Sequence, residues 1–465
     1  MPPAVTVGAS TSEFCTRLVT AGATPLPPQV ARAARRSLFN VLGTAIGAAR
    51  TSAVDVLLAT AREQDGTGDA AAENNVSVAG RDDTVDAYWG ALLAGTAAHL
   101  DDFDDTHLAT VIHPAAAVLG TLLALAPELD VNGERYLTAF ALGCESQLRI
   151  GNAVSPSHYD RGWHITGTCG AFGAAVSASL LLGLSAAQLE QALAIVSTMV
   201  LGHREGFGSM TKPFHPGKAA VNGVLAARLA AAGMTGIADP LGGGGVLPVF
   251  ADVVDLCELR GSWERDWELE YNAFKPYPCG IVAHPAIDAA RAASAQLDDP
   301  AAITSVELTC HPLVPELMGR RQPRDGLQAR FSAYHAGAVG LLDGEVGLVQ
   351  FGDDRAVAPD VERLRALITL QPTDECARDE ATIRVDRAGR DPIRVHVRHA
   401  RGSLDRPLTD EELFDKVDRL VEPVLGAGAA RRVAAAVDAL AGAEGFDAVI
   451  AAIRPGGISE GEMDQ

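Results

Sequence analysis

From residue 28 to residue 232 the sequence repeats one pattern, apolar residues three and four apart in segments closed by Gly or short polar turns. That spacing restricts this half of the chain to packed helices. Residues 28–47 carry the pattern most cleanly and end on Gly47, a helix stop. Segments 84–100, 115–125, 127–142, 171–183, 186–200 and 217–232 continue it. Ser185, with Gln188 three residues on, reads as an N-cap and its reciprocal partner. No repeat of fixed period is present, only helix after helix. The small side chains on these segments, mostly Ala and Gly among Leu and Val, suit close helix contacts.

The pattern changes near Phe274. Segment 303–310 alternates as a strand does, as do 381–385 and 393–399, the last two bracketing a turn at Arg387-Ala388-Gly389-Arg390. Helical spacing recurs at 329–342 and 360–366, and again from Leu408 to about Ile453. The expected fold is therefore mainly α. Residues 1–270 and 408–465 would form a large all-helical domain, with a smaller α+β lid domain inserted at 271–407. Residues 456–465 read as a frayed acidic tail.

Composition excludes several functions. A net charge of −21 and a pI near 4.9 disfavour nucleic acid and anionic membrane surfaces as partners. Aromatic content of 5% argues against stacking platforms for single strands. The seven cysteines are scattered without a CxxC, which points to reduced thiols and to no zinc or iron–sulfur site. The first ten residues lack a basic stretch followed by an apolar run, and segment 171–184 is too short to span a bilayer. A soluble, cytoplasmic protein is expected.

Lysine is rare: four residues, against 34 arginines. Two of them, Lys212 and Lys218, lie in Gly208-Ser209-Met210-Thr211-Lys212-Pro213-Phe214-His215-Pro216-Gly217-Lys218. A partly buried lysine can be tuned to titrate, whereas arginine cannot lose its proton. Lys212 beside His215 is thus a candidate for proton transfer or for holding a carboxylate, while Lys218, further along the next helix, reads as structural.

Four carboxylates fall within Asp101-Asp102-Phe103-Asp104-Asp105, followed by Thr106, His107 and His113. They could hold a divalent cation, cap the next segment and pair with arginines, or place one aspartate to orient a catalytic group with His113 lining a pocket. His164-Ile165-Thr166-Gly167 opens directly into a helix, where backbone N–H groups suit a carboxylate. Lys275, in Phe274-Lys275-Pro276-Tyr277-Pro278-Cys279-Gly280, reads as a hinge residue, with His284 just beyond; Ser332-Ala333-Tyr334-His335 starts an apolar helix. A single histidine is more often a packing residue than a catalyst, but five such clusters together favour a site. Gly242–245 lacks the setting of a dinucleotide loop, and no GxSxG precedes a helix.

Taken in order, DDFDDTH with its following HP, GWHITGTCGAFGAA, MTKPFHPGKAA, KPYPCG with HPAIDA, ARFSAYHAGAVGLLDG and HARGSLDRPLT resemble the MmgE/PrpD family. That family includes 2-methylcitrate dehydratases and cis-aconitate decarboxylases. The resemblance covers nearly the whole chain. It implies a homodimer with its active site between a helical domain and a lid, using neither metal nor organic cofactor. It places pocket positions on Asp102, Thr106, His113, His164, Lys212 and His284. A further position, tyrosine in the decarboxylases, falls on His335, with Tyr334 one residue earlier. The turn between Thr106 and His113 is one residue longer than in the decarboxylases.

The implied chemistry begins beside a carboxylate of a small di- or tricarboxylate. A neutral histidine removes the α-proton, an acid protonates the leaving group, and cations stabilise the enediolate. His113, His164, Lys212, Asp102 and His284 are the expected catalytic residues. Thr106, Thr166, His215, Tyr334 and His335 are expected to bind substrate. A hydro-lyase or decarboxylase is the first expectation. An epimerase of a dicarboxylate such as iminodisuccinate, using His335 as a second base, is the alternative. A degenerate carboxylate-binding protein is the non-enzymatic one.

Overall fold

Helical spacing becomes helix over Pro28–Gly47, Ala87–Leu100, Pro114–Leu125, Gly133–Val154, Ile165–Leu181 and Thr211–Ala231. In this computed structural model the described residues are 3–6, 8, 10–64, 75–261, 263, 265–442 and 445–456. Nearly all of the tail expected at 456–465 lies outside them. The helices Ala87–Leu100, Pro114–Leu125, Gly133–Val154 and Ile165–Leu181 are buried on almost every side, which small residues make possible. A Cβ on Gly95 would sit 2.7 Å from Gly217 Cα, and one on Gly223 would sit 2.4 Å from Ala174 Cβ. Those approaches let the Ala87–Leu100 and Ile165–Leu181 helices cross Thr211–Ala231 almost backbone to backbone.

The Thr211–Ala231 helix starts six residues before the expected 217. Pro213 falls in the first turn, where no N–H is required, and Pro216 removes only the bond that would end on the Lys212 carbonyl. Lys212 and His215 therefore sit one turn apart on a helix rather than in a loop. Gly133–Val154 begins later than expected, after a short 3₁₀ turn at Ala126–Glu128 and an Asn132 cap. Ser185 and Gln188 form the reciprocal capping pair.

Past Phe274 the chain builds a four-stranded sheet in the order Arg390–Val397, Ala381–Arg387, Ile303–Cys310, Ile368–Pro372. The pairings are antiparallel except the last, which is parallel. Ile303, Val306, Leu308 and Cys310 are buried, so one face packs on the helices His284–Ser294 and Ala333–Asp343. From Asp410 the chain is helical again, and Leu413, Val417 and Val421 join the same core as Leu38, Leu42 and Ala45. The structure is mainly α with a separate sheet-containing region. Among the described residues, no single helix is long and apolar enough to cross a membrane.

One pairing has no signature in the sequence. Asp105–His107 runs antiparallel to Asn272–Phe274, with Asp105 opposite Phe274 and Thr106 opposite Ala273. This short ladder brings the acidic stretch against the segment that carries Lys275.

Candidate active site

The Ala87–Leu100 helix ends at the acidic stretch, and each of its carboxylates takes a different partner. Asp101 accepts from Arg330 at 2.7 Å. Asp102, at φ +51°, is in the left-handed region that a non-glycine residue occupies only at a cost of about 1–3 kcal/mol. Its Oδ1 receives the Lys212 ammonium and lies 3.2 Å from Lys275 Nζ, which also donates to the Asp102 carbonyl at 3.0 Å. Asp104 is clasped by His99 Nδ1 at 2.7 Å and His113 Nδ1 at 3.1 Å. Asp105 accepts from Ser37 and from Asn272 Nδ2, the latter at 2.6 Å.

Burial opposes ionisation of Asp102, Asp104 and Asp105, and their neighbours decide the outcome. At Asp102 the charges of Lys212 and then Lys275 overcome burial and hold the carboxyl well below its usual range. At Asp104 the two imidazoles do the same. At Asp105 burial and then the Asp104 charge push the carboxyl up to about 7. Burial lowers the pKa of Lys212, His113 and His164, so the imidazoles favour their neutral form.

Asp102, Thr106, His113, His164, Lys212 and Lys275 line one side of a cavity. His113 and His164 are each the N-cap residue of a helix, Pro114–Leu125 and Ile165–Leu181, so the positive ends of two helix dipoles face it. The Lys212 ammonium lies between the rings of Phe207 and Phe331, 5.4 and 5.2 Å from their centroids. Gly280, Ile281, Val282, Leu317, Met318 and Phe331 cover the cavity from the C-terminal half and carry no ionisable group. Val111, a β-branched residue at φ +55°, lies at its edge within the turn between Thr106 and His113.

Five expected residues thus line the cavity: Asp102, Thr106, His113, His164 and Lys212. Thr166 and His215 stand one layer back. The Thr166 hydroxyl accepts the His113 N–H at 3.1 Å, and His215 Nδ1 lies 2.8 Å from His164 Nδ1. Three expectations are corrected. His284 is buried with Nε2 3.3 Å from the Cys279 carbonyl and its ring edge-on to Tyr277, so it packs behind the wall. His335 donates its backbone N–H to the Ser332 hydroxyl that caps its own helix, and turns its ring to the Gln350 carbonyl at 2.7 Å and to Phe351. Tyr334 packs into the sheet core under Arg321. Neither reaches the cavity. Lys275, read as a hinge, is the fourth correction, since its ammonium is in the site.

His99 has no counterpart among the expected residues, and Asp104 is expected only as part of the acidic run. His99 is fully buried, and its ring lies 4.5 Å from that of His113 and 5.6 Å from that of His164. Its position two residues before the acidic run is the signal that could have found it. Ligand atoms of His99, Asp102, Asp104 and His113 lie within 4.8 Å of one another, close enough for a divalent cation. Two ammonium groups already hold Asp102, however, and a cation there would meet both.

This arrangement sits in a chain that matches two family models in succession, the MmgE/PrpD N-terminal domain over residues 12–252 and the MmgE/PrpD C-terminal domain over residues 277–441. The chain belongs to the MmgE/PrpD family. It is 30% identical over 300 residues to the cis-aconitate decarboxylase of Mus musculus, covering 61% of this chain and 60% of that one. Similarity to the Homo sapiens enzyme of the same name is 31% over 297 residues, 61% of each chain. A cis-aconitate decarboxylase-like protein of Aspergillus oryzae is 26% identical over 395 residues, 78% of this chain and 81% of that one. The matches to the two mammalian proteins thus span about three fifths of their length.

Proposed function

We propose that the chain is a cofactor-independent lyase that removes CO₂ or water from a small di- or tricarboxylate. In this reading residues 1–270 with 408–465 form the body, and 271–407 form a lid over the cavity. The observation that carries it is the convergence of two buried ammonium groups, Lys212 and Lys275, with the imidazoles of His113 and His164. The ammoniums hold substrate carboxylates through charge-assisted hydrogen bonds and stabilise the enediolate. Asp104 and Thr106 on Nδ1 orient His113, so that Nε2 is its working nitrogen.

Two observations favour loss of CO₂ over loss of water. The cover is apolar, and a carboxylate pressed against it becomes neutral by leaving as CO₂. The relatives named above are cis-aconitate decarboxylases or like them. The epimerase alternative loses its second base, because His335 faces Gln350. A homodimer in the cytoplasm is the assembly and setting proposed from the family.

Incubation in D₂O with cis-aconitate, 2-methylcitrate, citrate and iminodisuccinate, followed by NMR, tests the reading. CO₂ loss from the tricarboxylate with deuterium entering the product is expected. No change in any of them, exchange included, would leave a binding protein.

A further inference from the structure

Decarboxylation at a buried site requires a proton from outside. A tricarboxylate trianion that loses CO₂ becomes a dicarboxylate dianion only after its carbon has taken up one H⁺. The cavity is lined by the Lys212 and Lys275 ammoniums held on Asp102, by Tyr159, by two histidines that favour their neutral form and by an apolar cover. Whichever of these gives up a proton must be recharged from outside.

His164 has a connection outward. Its Nδ1 lies 2.8 Å from His215 Nδ1, so one proton is shared between two rings that are 2% and 6% exposed. The next ring along is the exposed His203, whose centroid is 6.3 Å from that of His215, a gap that one water spans. The path is held in place by backbone. His164 N–H donates to the Gly202 carbonyl at 3.1 Å, and Arg204 N–H to the Gly162 carbonyl at 2.9 Å. A Cβ on Gly202 would stand 3.1 Å from His215 Cγ, and one on Gly167 2.9 Å from its Cβ, so both glycines leave room for the imidazole.

We infer that His164, His215 and His203 form a proton relay from the cavity to solvent. The inference rests on the lyase reading. As the bond between the substrate carbon and its carboxylate breaks, the electron pair stays on the carbon as an enediolate and CO₂ departs. The His164 Nε2 proton bonds to that carbon, the His215 Nδ1 proton moves to His164 Nδ1, and His215 Nε2 takes a proton from water at His203. One proton enters, and each ring is left as its other tautomer. On product release, water admitted to the open cavity gives a proton to His164 Nε2, the shared proton returns to His215 Nδ1, and His215 Nε2 releases one to solvent, which restores both tautomers; the relay thus serves the step in which the cavity is closed.

His215→Asn separates relaying from positioning. Its amide reaches the Nδ1 position and keeps the hydrogen bond to His164, but it has no second nitrogen to pass a proton on. In the wild-type background with the acid that turns over, kcat should fall by about 100-fold with KM within about threefold. Added imidazole, which fits the space left by the ring, should restore most of the loss. Unchanged kcat, or a loss that imidazole does not restore, overturns the relay. If the wild type acts on no acid, the lyase reading fails, and NMR of ¹⁵N-histidine-labelled protein tests the shared proton alone. One downfield proton coupled to Nδ1 of both His164 and His215, and lost in His215→Asn, supports the connection. Its absence from the wild type overturns it.

Discussion

Replacing Lys275 by Met removes an ammonium 3.2 Å from Asp102 Oδ1 while nearly keeping the length of the side chain. At that separation, with an effective dielectric near 20, the lost attraction is about 5 kcal/mol. Two effects reduce it. Lys212 stays on the same oxygen, so Asp102 is not left unpaired, and the desolvation of the Lys275 ammonium is recovered. The net destabilisation should be about 3 kcal/mol, the low end for breaking a buried pair. Urea unfolding followed by circular dichroism measures it as a lower midpoint at unchanged slope. On the lyase reading, kcat should also fall by about 100- to 1000-fold, as when one preorganised donor to a developing oxyanion is removed. Lys275→Arg should regain stability but not rate, because a planar fork does not reproduce one ammonium that reaches both the carbonyl and Oδ1 of Asp102. Wild-type kcat and kcat/KM in Lys275→Met would refute the catalytic placement and return Lys275 to a hinge.

Lys212→Arg should fold and lose most of kcat, because its ammonium is fitted between two aromatic rings and Asp102; an active variant would reduce Lys212 to a charge. EDTA should leave turnover unchanged, since Lys212 and Lys275 serve Asp102 where a cation would need it, and loss of activity restored by a divalent cation would refute this. Stability should fall on mild acidification. Burial first of all holds His99, His158, His215 and His335 at about 4, and His284 at about 3. The unfolded chain takes up these protons near pH 6.5, so between about 6.5 and 4 it binds more protons than the folded one, and each histidine contributes up to about 1.4 kcal/mol per pH unit. Asp102 and Asp104, whose pKa values are depressed, add their loss only below about pH 4. A urea midpoint that stays flat from pH 6.5 to 4.5 would contradict that placement of the histidines.

What the sequence made legible was whatever depends on local spacing. Pro28–Gly47 and Ile303–Cys310 occur with the bounds that periodicity predicts, because an apolar stripe or an alternating face needs only neighbours in the chain. Lys212 stood out through lysine scarcity, and the cavity uses it. Pairings between distant segments left no trace: the Asp105–His107 ladder has three residues on each side and no alternation to detect. Without that ladder Lys275 has no reason to be near Asp102, so it read as a hinge. His284, His335, His113 and His164 share one appearance in sequence, a histidine beside a helix start. Only tertiary packing separates those capping a cavity from those hydrogen-bonded to the Cys279 and Gln350 carbonyls.

The acidic stretch is completed by residues far along the chain. Asp101, Asp102 and the Phe103 carbonyl receive Arg330, Lys275 and Lys416, the last also bound to Asn40 and held down to about 7 by burial. During synthesis the helices up to residue 231 emerge first, with four carboxylates clustered and only Lys212, His99 and His113 to offset them. The cations that quiet their repulsion arrive with residues 275, 330 and 416. A chain that ends before residue 275 is therefore left with an uncompensated cluster of negative charge at its centre, so the helical half depends on the later segments for the electrostatic balance of its own interior.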